Sequence, residues 1–254
     1  MGIKRKSSAN KFVLPFLAHQ SSSPIPDPDA FAEKKQLVEA AIRLYQDDTT
    51  LTVEAVCTEA GVEKTVFHNH FDTPEALLTA FYDLAVDQYH LLTGATADYG
   101  DFTFEERLAS FYYILFDTLG EQRAFVQATF DSEIRYASSF RRDVQEVLRE
   151  LFTDDRIPQP NQLVTGFWPV QEVLTEVTFA IIRHWMGDES DDQAATTALV
   201  DKLVAFIAEL VTFRGVSTGV ELAWHVVQHD ALGLRRLPIV GWLFPKQKPD
   251  SYDA

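Results

Sequence analysis

The sequence predicts an all-α protein: a small helix-turn-helix domain followed by a larger helical bundle. Three observations carry this. Apolar residues recur at helical spacing through most of the chain, no alternating strand pattern of useful length occurs, and Gly and Pro are few, 11 each in 254 residues. With 46% apolar residues there is ample material for a core, and no apolar run approaches the roughly 18 residues of a membrane span. One cysteine, Cys57, excludes an internal disulfide or a Cys-cluster zinc site, and the cytoplasm is the expected compartment. The net charge of −16 is spread unevenly, with +2 over residues 1–30, −5 over 31–80 and −13 over 81–254. Adhesion to nucleic acid or anionic lipid through bulk charge is therefore disfavoured, and any DNA contact must be local.

Residues 1–30 read as a disordered arm. They carry Lys4, Arg5, Lys6 and Lys11 and end in a Pro-rich stretch through Pro24, Pro26 and Pro28 that cannot continue a helix. From Phe31 the pattern changes. Leu37, Ala40, Ala41, Leu44 and Tyr45 form one apolar stripe of a first helix. Thr52 stands as an N-cap before Val53, Val56, Cys57 and Ala60, and Gly61 ends this second helix. Val62, Val66, Phe67 and Phe71 give the apolar side of a short third helix, leaving Lys64, Thr65, His68 and Asn69 outward. In Asp72-Thr73-Pro74-Glu75, Thr73 is placed to cap and Pro74 to open a fourth helix running to about Tyr89.

Leu37 to Tyr45, Val56 to Val62, Lys64 to Phe71 and Glu75 to Leu78 resemble the N-terminal domain of the tetracycline-repressor (TetR) family of transcriptional regulators, over about residues 33–90. The resemblance implies a homodimer on a double-stranded DNA operator, with the third helix of each subunit in successive major grooves. It also implies a C-terminal domain that senses a small apolar or aromatic effector, with repression the usual outcome. The family's groove- and phosphate-facing positions fall on Thr52, Lys64, Thr65, Val66, His68, Asn69 and His70. Thr52 and Lys64 suit phosphates, Asn69 a base edge and Val66 a thymine methyl. Four departures bear on this: Glu63 replaces a small hydroxyl residue, Pro74 a lysine, Glu54 a basic or polar residue, and the loop Gln46–Leu51 is about two residues short. Each removes a phosphate contact or adds repulsion. An alternative is a TetR-fold protein that has given up DNA and binds a lipid or protein partner.

The domain over 91–232 is expected to contain helices at Phe104–Leu119, Glu121–Tyr136, Ser138–Phe152, Phe167–Met186, Asp191–Phe213 and Gly219–Leu232, with 153–165 as a Pro-containing loop. Leu199, Leu203, Phe206, Ile207, Leu210 and Val211 form a broad apolar face, as do Val173, Val177, Ile181 and Trp185. By the resemblance these two helices form the dimer interface; core packing within one subunit is the other reading. Phe111, Tyr112, Phe116, Phe130 and Phe179 are candidates to line an effector pocket, with Glu133, Arg135 or His184 as polar anchors, although aromatic stripes at this spacing also build cores. Glu221, His225 and His229 fall on one helical face, but the outer two stand about 12 Å apart along the axis and no metal is assigned. No cofactor is expected. The tail, 233–254, is apolar and locally basic around Arg235 and Trp242; docking on the protein itself is favoured over a partner or a membrane interface, because Pro238 and Gly241 interrupt an amphipathic helix. Neither a phosphate loop, a Gly-x-Ser-x-Gly elbow nor a His-Glu-x-x-His helix occurs, so no catalysis is expected.

Overall fold

The computed structural model describes residues 25–134, 138–154, 156–166 and 168–213. Among them the fold is all-helical: α1 (Pro28–Gln46), α2 (Val53–Ala60), α3 (Lys64–His70), α4 (Ala76–Ala95), α5 (Phe104–Gly120), α6 (Arg123–Glu133), α7 (Ser139–Phe152), α8 (Gln159–Thr165), α9 (Trp168–Met186) and α10 (Ala194–Thr212). Single 3-10 turns precede α5 and α10. The arm before residue 25, the helix expected at 219–232 with Glu221, His225 and His229, and the tail lie outside the described residues.

Local chemistry fixes most of the boundaries. Asp27 caps α1 by accepting the Asp29 amide at 3.1 Å, and Pro28 occupies its first turn. The Pro-rich stretch thus starts the helix three residues before Phe31, because a proline at the first helical position has no amide to leave unpaired. Thr103 and Glu106 close a reciprocal capping box on α5, and Ser138 caps α7. The region 153–165, expected as a loop, contains α8: Pro158 caps it and Pro160 falls in its first turn, where the missing amide costs nothing. The cap expected from Thr73 does not form. A turn at Pro74-Glu75 precedes α4, whose cap position is Glu75, with no side-chain hydrogen bond.

α1 packs on α2 and α4, α4 on α5 and α7, α7 on α9, and α5 on α10. Tyr82 of α4 anchors the centre. Its ring meets Phe81, Phe125, Phe130 and Phe140 at 5.5–6.3 Å, and its buried hydroxyl shares a 2.7 Å hydrogen bond with Thr129. The helix that leaves the head is therefore embedded in the body's core. Arg123 secures the end of α9 by donating to the carbonyls of Trp185, Met186 and Asp188 at 2.9, 3.3 and 2.5 Å.

Candidate nucleic-acid interface

The head is a helix-turn-helix. Thr52 accepts the Ala55 amide at 3.1 Å and starts α2; Gly61, at φ 69°, takes the left-handed conformation that ends it. The turn is held from behind, where Gln36 of α1 donates to the Ala60 carbonyl at 2.7 Å and Arg43 pairs with Glu59 at 2.7 Å. Phe67 is fully buried and fixes α3 by its inner side, with the Phe71 ring 6.0 Å away. Val56, Cys57 and Ala60 complete the contact with α1.

Thr52, Lys64, Thr65, His68 and Asn69 are exposed, as the spacing predicts. Two expected contact residues are engaged differently. His70 is tucked in, with 12% of its side chain exposed and Nε2 at 2.7 Å from Glu33 of α1, so it ties α3 to α1 and does not face outward. Val66 is half-buried and packs against the core by one side.

The electrostatics of this face come from side chains whose pairing the spacing did not show. Lys64, at the start of α3, is ion-paired with Glu54 of α2. That lysine holds the Glu54 carboxyl below its ordinary pKa. Glu63 occupies the cap position of α3 without capping it and stands 3.5 Å from the Thr65 hydroxyl. One cation and two carboxylates thus share the edge where α2 and α3 begin.

Residues 107–225 match the family model of the tetracyclin repressor-like C-terminal domain, which covers the body and not the head. The crystal structure of the TetR transcriptional regulator from Nitrosomonas europaea ATCC 19718 superposes with a TM-score of 0.50 at 18% identity, over 71% of this chain and 98% of that one. No curated protein matches the sequence. Residues 107–225 are thus similar to the tetracyclin repressor-like C-terminal domain, and the fold is similar to that of the Nitrosomonas europaea protein.

In the body the aromatic residues expected around an effector meet one another. Phe111, Tyr112, Phe130 and Phe179 are buried and Phe116 is half-buried; the Phe130 and Phe179 rings lie 6.0 Å apart and those of Phe116 and Trp185 5.8 Å apart. The Tyr112 hydroxyl is bonded to Thr178 at 3.1 Å. His184 is exposed and does not join this cluster; Arg135 and the Glu133 side chain lie outside the described residues. A shallow surface cleft of about 390 Å³ lies instead at the end of α9, lined by Arg123, Gln127, Met186 and Asp188 among others.

The broad apolar faces of α9 and α10 are divided in two. On α10, Val200, Val204, Ile207 and Val211 are buried, while Leu199, Phe206 and Leu210 are 40%, 61% and 50% exposed. On α9, Ile181 and Trp185 point inward, Val177 is half-buried and Val173 is 60% exposed. None of the described helices is long and apolar enough to cross a membrane.

Proposed function

We propose that the protein is a homodimeric transcriptional regulator that binds duplex DNA through α2 and α3 and acts as a repressor. The observation that carries this reading is α3 itself: Phe67 anchors it inward while Lys64, Thr65, His68 and Asn69 stand outward on a rigid short helix, as a major-groove reader requires. Asn69 has the chemistry to read a base edge, and Thr52, Thr65 and Lys64 to hold phosphates. The outward stripe of α10, with Val173 of α9, supplies the surface on which two copies pair, which sets the spacing of two heads on two half-sites. A small apolar or aromatic effector entering the ring cluster between α5, α6 and α9 would part rings that now touch; α4 runs from this core to the head and would carry the change.

A second reading has an observation of its own. With Lys64 held by Glu54 and Glu63 beside it, the docking edge has little free positive charge, which favours a lipid or protein partner over DNA. Binding of the full-length protein to a fluorescent duplex of its own upstream region, against a scrambled duplex and across a salt series, decides between them. The regulator reading expects preference for the upstream duplex, loss of affinity with salt, and weaker binding by Lys64→Glu. Equal or absent binding to every duplex at low salt refutes it and leaves the partner-binding reading.

A further inference from the structure

Where α4 packs on α7, three carboxyls lie close enough to act on one another electrostatically. Asp83 and Asp87 stand on successive turns of α4, and Asp143 follows one turn after Ser139 on α7. Asp83 Oδ2 accepts the Ser139 hydroxyl at 2.8 Å, while Oδ1 is shut off from solvent and has no hydrogen-bond partner among the described residues. A half-buried carboxylate with one oxygen unpaired is a costly arrangement; the neutral acid is not. The charged groups acting here are Asp87 and His90 on α4, Arg142, Asp143 and Glu146 on α7, and Lys34 on α1, which acts on Asp87. No cation is paired with Asp83 itself in an ion pair among the described residues.

We propose that Asp83 is a proton-operated latch between α4 and α7: taking up one proton relieves carboxylate repulsion across the seam and tightens the helix that carries the head against the body. Burial pushes the Asp83 carboxyl up to about 6, with Asp143 and Asp87 adding to the rise and the Ser139 hydrogen bond opposing it. Asp87 and Asp143 are raised too, again mainly by burial. The folded protein thus binds more protons than the unfolded chain between the ordinary aspartate range and about pH 6. Acid stabilises the seam in that window, and the stabilisation is lost as pH rises through it. The consequence for DNA rests on the regulator reading above.

Equilibrium urea unfolding of the full-length protein from about pH 5 to about pH 7 tests the latch. The Asp83 contribution should raise the unfolding constant about tenfold across this range, and Asp83→Asn should remove that slope. Asp143→Asn should move the midpoint of the slope to lower pH and Ser139→Ala to higher pH, shifts that a merely structural role would not produce. An Asp83→Asn variant as pH-dependent as the wild type, or a midpoint unmoved by both neighbouring changes, overturns the latch; if Asp83→Asn does not fold, the two neighbours decide. Duplex affinity measured over the same pH range should vary more in the wild type than in Asp83→Asn, because the histidines of α3 are common to both. Equal pH dependence in the two overturns the coupling to the head, whereas no duplex binding at any pH counts against the regulator reading alone and leaves the unfolding data to judge the latch.

Discussion

On the regulator reading, replacing Glu54 by Gln should strengthen duplex binding, because it frees Lys64 at the start of α3. Lys64 and Glu54 are paired across the start of α2 and α3, with 55% and 67% of their side chains exposed, so the pair is solvated and can be exchanged for a phosphate. Each lysine that neutralises one phosphate releases condensed counterions and adds about 0.9 to the slope of log affinity against log salt. At about 0.1 M salt that is at most about eightfold per head, or about sixtyfold for a dimer with both heads engaged, with a slope steeper by at most about 1.8, and less to the extent that Lys64 already exchanges Glu54 for a phosphate. Loss of the Glu54 charge from the neighbourhood of the phosphates adds in the same direction. Fluorescence anisotropy of a labelled upstream duplex over a salt series reads affinity and slope together. Lys64→Gln in the Glu54→Gln background should abolish the gain, which separates a lysine–phosphate contact from general relief of repulsion. Unchanged affinity and slope in Glu54→Gln, or a gain that survives the second substitution, would refute this account of the docking edge.

Phe206→Asp places a carboxylate in the outward stripe of α10 without touching the inward one, so on the proposed pairing light scattering should show a monomer mass while far-ultraviolet helicity is kept. Phe130→Ala removes a fully buried ring packed on Tyr82 and Phe179 and should cost about 3–5 kcal/mol in denaturant unfolding. Thr52→Ala removes the cap of α2 and should cost about 1 kcal/mol by the same measurement. Asp188 accepts the amides and hydroxyls of Ser190 and Thr196 at 2.6–3.0 Å, and these bonds hold its carboxyl well below the ordinary range. Its contribution is present above the ordinary carboxylate range and lost as pH falls through and below it, so Asp188→Asn should show a flatter acid limb in thermal unfolding.

Elements whose ends carry their own chemistry are legible in the sequence, and α9 (Trp168–Met186) is legible from its apolar period without such ends. α2 runs from a Thr cap to a left-handed Gly, α5 opens on a Thr-x-x-Glu box, and α7 opens on a Ser; all three were placed to within a residue or so. Prolines misled in both directions. Pro28 and Pro160 open helices in stretches read as arm and loop, whereas Pro74, read as opening a helix, belongs to the turn before α4. Proline is allowed in a first turn and in a turn outside it, and neighbouring residues alone do not say which. The outward set on α3 followed from a period of 3.6, but what those side chains are paired with did not. Glu33 to His70 and Glu54 to Lys64 are contacts between helices, fixed by how α1, α2 and α3 cross.

Two adjacent stripes on α10 make its spacing predict one broad apolar face. Val200, Val204, Ile207 and Val211 form one stripe, and Leu199, Leu203, Phe206 and Leu210 another beside it, so the helix is apolar around most of its circumference. A helix of that kind needs partners on more than one side. Within the chain α5 covers the inner stripe, while Phe206 and Leu210 stay more than half or half exposed, as does Val173 on α9. Single exposed apolar residues are ordinary on a protein surface; three along one helix, Leu199, Phe206 and Leu210, are not. A second copy of the chain presents the same outer stripe, and an isologous pairing buries both copies of it at once. Loss of the dimer in Phe206→Asp with an intact fold is therefore the result that ties the outer stripe to assembly, and a dimer that survives the substitution assigns that stripe to another occupant.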